Sequence, residues 1–380
     1  VKKQLLSLST MLFISSILIG CNSNGDTSSS QSAPTTDSET IKIYTTLYPL
    51  EDFTKKIGGD LVDVENVIPP GADAHTFEPS TKDIVNIAEA DGFIYSGVGL
   101  DSFAETVQES LKDENVTFIN AGEGIELLEG HEEAEHTDEE ATHEEEHAHN
   151  ESEHADEKAT HEEEHAHDES EHTDEKATHE EEHAHDESEH ADEEATHEEE
   201  GHAHDHGDTD PHVWIDPVLS IQLAENIKNA LTELHPDGKE TFEKNFEALK
   251  TKLNELDQSF SDVINNANKK EILVSHAAYG YWESRYGLEQ ISVLGLSPTQ
   301  EPSQKELQTI IETAKEHEIK YIIFETNVSS NVTDIVQSEI GAEALTLNNL
   351  ESLSDEDIKN NEDYFSIMKK NLETLEKALN

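Results

Sequence analysis

The chain has 380 residues, 33% apolar content and a formal charge of −63 at pH 7, with 87 acidic residues against 24 basic ones. So acidic a surface excludes a nucleic-acid partner, because phosphate binding requires a basic face, and makes cations the natural company. The single cysteine excludes an internal disulfide and a multi-cysteine metal site.

In chain order, Lys2 and Lys3 precede an apolar run from Leu5 to Ile19 that ends Leu18-Ile19-Gly20-Cys21. A basic start, a short apolar core and small residues at a cut site describe a signal peptide over residues 1–20, and the run is too short to span a bilayer. Leu-Ile-Gly-Cys resembles the bacterial lipoprotein cleavage box, which implies lipidation of Cys21 and an extracytoplasmic protein anchored to the cell membrane. Residues 21–40, rich in Ser, Thr, Asn and Asp, are expected to form a flexible tether.

Apolar runs at 41–46, 61–68, 92–95 and 116–119 predict buried strands, with helices near 49–58, 80–90 and 101–112 between them. The pattern resumes with a helix over 217–234, ended by His235-Pro236-Asp237-Gly238. A longer helix follows over 239–267, carrying Phe242, Phe246, Leu249, Leu253, Leu256, Phe260 and Val263 at spacings of three or four. Such a helix spans about 40 Å, enough to cross from one lobe to another. Strands at 271–274, 288–293, 321–324 and 344–347 then alternate with helices near 277–286, 303–317, 331–340 and 361–378. The economical α/β architecture has an N-terminal lobe at 41–236, a linker helix at 237–268 and a C-terminal lobe at 269–380.

The N-terminal lobe carries an insertion at 131–207. Residues 131–206 hold 18 of the 23 histidines and 34 of the 87 acids, against two bases, Lys158 and Lys176. Ala141–Lys158, Ala159–Lys176 and Ala177–Glu194 are near-identical 18-residue units. With no apolar residue except alanine, the segment cannot offset its ordering entropy, and disorder is expected; a histidine-striped helix formed on metal binding is the competing form. His143/His147, His161/His165 and His179/His183 match the HExxH pattern of zinc proteases, but composition alone generates that pattern here.

Outside the insertion only His75, His212, His235, His276 and His317 remain. His235 and His317 sit at helix ends or faces, where solvated or capping roles suffice. His75 (Gly-Ala-Asp-Ala-His-Thr-Phe-Glu-Pro-Ser, 71–80), His212 (Asp-Pro-His-Val-Trp-Ile-Asp-Pro, 210–217) and His276 (Ser-His-Ala-Ala-Tyr-Gly-Tyr-Trp, 275–282) lie in stiff loops beside strand ends or helix starts. Ligands bind at such places in open α/β sheets. The residues alone leave metal ligation and a structural role both open.

These three segments closely resemble the histidine-bearing motifs of the zinc-specific cluster A-I solute-binding lipoproteins of ABC transporters, and the likeness covers nearly all of 41–380. The acidic, histidine-rich insertion before the second motif also resembles zinc members of that family. The resemblance implies two lobes, each a four-stranded parallel sheet flanked by helices, joined by one rigid helix with metal in the cleft. It implies His75, His212 and His276 as ligands, and Glu351 in Leu-Asn-Asn-Leu-Glu-Ser-Leu (347–353) as the fourth, with Glu325 or water as rivals. Three imidazoles and a carboxylate suit Zn²⁺, whereas manganese favours more oxygen donors.

The expected function is therefore zinc capture and delivery to an ABC permease by a monomer that is not an enzyme. His143, His147, His161, His165, His179, His183, His202, His204 and His206 are expected to serve as weak auxiliary ligands that gather zinc. A manganese-binding lipoprotein, a metal-stabilised surface adhesin and, more remotely, a metalloprotease using the HEEEH repeats are the alternatives.

Overall fold

The computed structural model describes residues 40–129, 209–328 and 330–380. The signal-peptide, Cys21 and histidine-repeat expectations fall outside them. The first sheet contains β1 (Ile41–Thr45), β2 (Val62–Asn66), β3 (Gly92–Tyr95) and β4 (Thr117–Asn120) in the order β2-β1-β3-β4, and every pairing is parallel. The second sheet repeats this arrangement with β5 (Glu271–Val274), β6 (Glu289–Ser292), β7 (Tyr321–Glu325) and β8 (Glu343–Leu347) in the order β6-β5-β7-β8. Parallel strands need crossovers, and the intervening helices supply them. These are α1 (Tyr48–Gly58), α2 (Thr81–Ala88) and α3 (Phe103–Ser110) in the first lobe, and α6 (Gly280–Tyr286), α7 (Gln304–Glu316) and α8 (Asn331–Ile340) in the second.

Between the sheets run α4 (Pro217–Leu234) and the 28-residue α5 (Lys239–Asn266). The apolar stripe of α5 buries Phe242, Phe246, Leu249, Leu253, Leu256 and Phe260 as expected, but it ends on Ile264 rather than Val263. Near its start, Asn245 donates to the Ile57 carbonyl of α1, and Lys228 of α4 lies over the Phe246 ring. Near its end, Phe260 packs against Trp282 and Tyr286 of α6. One helix thus touches both lobes, and a single apolar core runs from Ile41 through α5 to Leu379. A smaller core, including Leu273, Ile310, Ile322 and Val336, lies on the outer side of the second sheet. No helix among the described residues is long and apolar enough to cross a membrane.

The helix expected near 361–378 is present as α10 (Tyr364–Ala378), and a short helix that was not expected, α9 (Asp355–Asn360), precedes it. Asn361 turns left-handed at φ 53° between them, and Asp363 starts α10 with a reciprocal Ser366 cap. The helix expected near 277–286 starts later, at Gly280. The Ala277 amide is taken instead by the Gly295 carbonyl, which holds the residues after His276 in a turn.

Candidate metal centre

Each of the four candidate side chains stands on a loop that its neighbours fix. After β2, Gly71 adopts φ 74°, a conformation open to glycine, and donates its amide to the Leu353 carbonyl across the lobes. Asp73 then accepts the His75 amide at 2.9 Å. Ahead of α4, Asp210 Oδ1 accepts the His212 amide at 2.9 Å and faces its ring Nδ1 at 2.8 Å. His276 follows β5 directly. Beyond β8, Asn348 Oδ1 accepts the Leu350 amide at 2.8 Å, and the buried Leu350 is held at φ 65°. Such backbone strain in a non-glycine residue concentrates at functional sites. It turns Glu351 inward, where Asn349 Nδ2 donates to Oε1 at 2.9 Å.

The four donor atoms converge. His75 Nε2 lies 3.3 Å from His212 Nε2, which lies 3.4 Å from His276 Nε2. Glu351 Oε1 lies 3.3 Å from His75 Nε2 and 3.6 Å from His212 Nε2. All four donors fall within 4.8 Å of one another. A tetrahedral zinc with bonds of about 2.0–2.1 Å places its ligands about 3.3–3.4 Å apart, so these four separations are close to that geometry. His212 and His276 are fully buried, and the His75 side chain is the most open of the four at 9%.

The electrostatics fit a cation. Burial alone would lower the His212 imidazole, but hydrogen bonds to Asp210 and Glu351 outweigh it and push its pKa up to about 9. Burial likewise opposes ionisation of Glu351, yet His212 and His75 hold its carboxyl well below the usual range. The centre therefore keeps a carboxylate charged in a dry place, where a divalent ion can replace the imidazole proton.

Glu325, considered a rival ligand, lies elsewhere. Its Oε2 sits 2.5 Å from His276 Nδ1, on the opposite edge of the ring from the donor nitrogen. The two atoms are in direct polar contact without the alignment of a regular hydrogen bond. Asp210 and Asn349 were given no role from sequence. An acid two residues before a histidine, and an amide two residues before a glutamate, were the available signals.

The two lobes are also joined without metal. Trp214 Nε1 donates to the Asn349 carbonyl at 2.7 Å, and Ser352 Oγ donates to the Ala72 carbonyl at 2.7 Å. From α6, Tyr281 donates to the Asp210 carbonyl and Trp282 to the Ile215 carbonyl, both at 2.8 Å, while Arg285 Nε meets Asp216 Oδ2 at 2.5 Å. Hence a metal would add to an existing seam rather than be the sole staple. At the mouth, a cavity of about 220 Å³ is lined by His75, Leu100, Thr209, Leu296 and Gln300, among others. Thr209 also bridges Glu129, so the two ends of the histidine-rich insertion leave together beside this opening.

Residues 43–378 match the family described as zinc-uptake complex component A, periplasmic, or ZnuA. Among relatives, the zinc-binding protein AdcA of Streptococcus pyogenes is 36% identical over 341 residues, covering 88% of this chain and 55% of its own length. The high-affinity zinc uptake system protein ZnuA of Bacillus subtilis is 35% identical over 352 residues, covering 93% of this chain and 92% of that protein. The crystal structure of the Zn(II)-bound ZnuA-like domain of Streptococcus pneumoniae AdcA superposes with a TM-score of 0.62 at 30% identity, covering 90% of this chain and 99% of that one. The chain thus spans about 55% of the AdcA relative's length and nearly all of the Bacillus one. With its sheets, its long helix and its motif-bearing loops alike in place, the chain belongs to the ZnuA family of zinc-uptake solute-binding proteins.

Proposed function

We propose that this chain is the extracytoplasmic zinc-binding component of a zinc uptake system, and that His75, His212, His276 and Glu351 bind one Zn²⁺ for transfer to an ABC permease. The observation that carries this reading is the convergence of the four donors, four of whose six separations are 3.3–3.6 Å and all of which lie within 4.8 Å. Three neutral imidazoles and one carboxylate leave a net charge of +1 on the loaded centre, compatible with burial beside further acids. Four protein donors fill a tetrahedral shell, so the site retains its ion rather than presenting an activated water. An anchor at Cys21 would keep the chain at the membrane that holds the permease, and the family's extracytoplasmic role supports that location. His143, His147 and their counterparts would collect zinc at the cavity mouth, since the insertion leaves the fold beside His75. Their contribution is to local concentration, not to the tight site. The domain boundaries 41–236, 237–268 and 269–380 assign two ligands to each lobe, with α5 as the bridge.

Zinc competition titration and X-ray absorption on the full chain test the reading. The expected result is one tight site with three nitrogens and one oxygen, lost on changing any of the four ligands to alanine. A first shell of six oxygen-rich ligands, or a tight site indifferent to all four changes, overturns it.

A further inference from the structure

Two acids stand outside the donor set yet touch it. Asp210 is 3% exposed and the Glu325 side chain 1% exposed. Burying a carboxylate is costly unless something compensates it, and among the described residues neither acid is paired with a lysine or arginine. What each meets is the far edge of an imidazole whose near edge faces the centre: Asp210 Oδ1 at His212 Nδ1, 2.8 Å, and Glu325 Oε2 at His276 Nδ1, 2.5 Å.

We propose that Asp210 and Glu325 are positioning residues for the metal, each holding the Nδ1 edge of one imidazole so that its Nε2 lone pair faces the ion. This rests on the zinc reading above. A neutral imidazole carries one N–H, and a ring flip of 180° would put carbon where the donor should be. A carboxylate at Nδ1 selects the tautomer with hydrogen on that nitrogen and opposes the flip.

Both acids are themselves fixed. The same Asp210 oxygen also accepts the His212 amide, and a Cβ at Gly280 would lie 2.5 Å from Asp210 Oδ2, so the start of α6 must be glycine to seat it. Glu325 ends β7 and shares the Asn349 amide with Glu351, at 3.4 and 2.9 Å. His75 differs. Among the described residues its carboxylate contact is Glu351, and it is made through Nε2. The centre therefore has two imidazoles set in advance and one free to adjust.

The test measures zinc affinity by chelator competition on the full chain, with one equivalent of Co²⁺ as a reporter of coordination geometry. Variants are Glu325→Ala, Glu325→Gln, Asp210→Ala and Asp210→Asn. The alanine variants should lose roughly 10–100-fold in zinc affinity while keeping the intense visible bands of four-coordinate Co²⁺. The amide variants should recover part of the loss, because an amide oxygen still faces the Nδ1 edge that the carboxylate faced. Unchanged affinity in both alanine variants overturns the proposal, as does a changed Co²⁺ spectrum in Glu325→Ala, which would make Glu325 a ligand. Where circular dichroism shows an alanine variant unfolded, its amide partner decides: full wild-type affinity in a change from charged to neutral acceptor counts against positioning by charge. Absence of four-coordinate bands in the unsubstituted chain instead refutes the zinc reading itself.

Discussion

Trp214, two residues after His212, donates its indole N–H to the backbone carbonyl of Asn349, two residues before Glu351, at 2.7 Å. The same indole lies 5.4 Å from the His212 ring. One buried hydrogen bond thus ties a ligand segment of the first lobe to a ligand segment of the second. Trp214→Phe keeps an aromatic ring but strands the Asn349 carbonyl, at a cost of about 1–3 kcal/mol, to which the loss of buried side-chain volume adds. The expected outcome is lowered thermal stability of the metal-free chain together with weaker zinc binding. Differential scanning calorimetry and zinc titration check both, and unchanged stability would show the bond to be dispensable.

Binding at neutral pH should release a proton from His212. Its folded pKa of about 9 lies above the ordinary value of 6.5, so the metal-free ring is mostly protonated at pH 7 and must give up the Nε2 proton to zinc. Affinity should therefore keep rising as pH increases toward about 9, beyond the range in which an ordinary imidazole titrates. The same shift stabilises the metal-free fold fully below about 6.5, and that contribution is lost as pH rises through about 9. Glu351 is shifted the other way. Its contribution persists above its unfolded value and is lost only in strong acid. Calorimetry in buffers of different ionisation enthalpy reads the proton count, and zero release at pH 7 would contradict the His212 assignment.

Changing a ligand should cost more than changing what orients it. His75→Ala, His212→Ala, His276→Ala and Glu351→Ala each remove a donor, so their affinity losses should exceed the roughly 10–100-fold expected for an outer partner. His75→Ala should disturb the metal-free fold least, because His75 is the most open of the four and has no second acid behind it. Parallel zinc competition and thermal melts on the four variants give the ranking. A larger stability loss for His75→Ala than for His212→Ala would reverse the argument.

The Arg285–Asp216 pair should act on stability before it acts on binding. Asp216 caps α4 through the Val218 and Leu219 amides, and its side chain is 2% exposed against 31% for Arg285. Burial raises the Asp216 pKa, and the guanidinium opposes that rise. Arg285→Ala leaves the carboxylate with its cap bonds but no cation, which should cost about 1–3 kcal/mol after allowing for Arg285's partial exposure. Urea unfolding measures this, and a neutral result would mean that solvent screens the pair.

Removing 131–207 should spare the tight site. Glu129 and Thr209 already form a bridge, and the Asp210 amide donates to the Leu128 carbonyl at 2.9 Å, so a short linker can join the ends without moving His212. Zinc titration should show one tight site retained and several weaker ones gone. Loss of the tight site would instead place a ligand in the insertion.

Much of the fold was legible because its signals are local. Strands such as β3 (GFIY), β5 (EILV) and β7 (YIIFE) are short apolar runs, and α5 repeats apolar residues every three or four positions from Phe242 to Phe260. The histidines of the site could be separated from those of the repeat for the same reason, since each stands in a distinctive stiff loop. Asp210 and Glu325 were less visible because a carboxylate looks the same in sequence whether it faces water, a metal or the back of an imidazole. The short helix α9 was missed although Ser354 caps it, because Asp355–Asn360 carries one apolar residue, Ile358, and so no apolar period.

The sequence by itself determined the cation-seeking character and the two alternating α/β patterns, which follow from residue type and spacing, and it set three loop histidines apart; reading them and Glu351 as ligands rested on the resemblance of their motifs to a zinc-binding family. Only the tertiary structure decided that these four side chains bring their donors within 4.8 Å of one another, that Glu325 faces Nδ1 of His276 instead of joining them, and that the lobes are already hydrogen-bonded across the site. The reason is distance along the chain. His75 and Glu351 approach to 3.3 Å from opposite ends of the fold, and no local period encodes which face of a ring a remote carboxylate will reach.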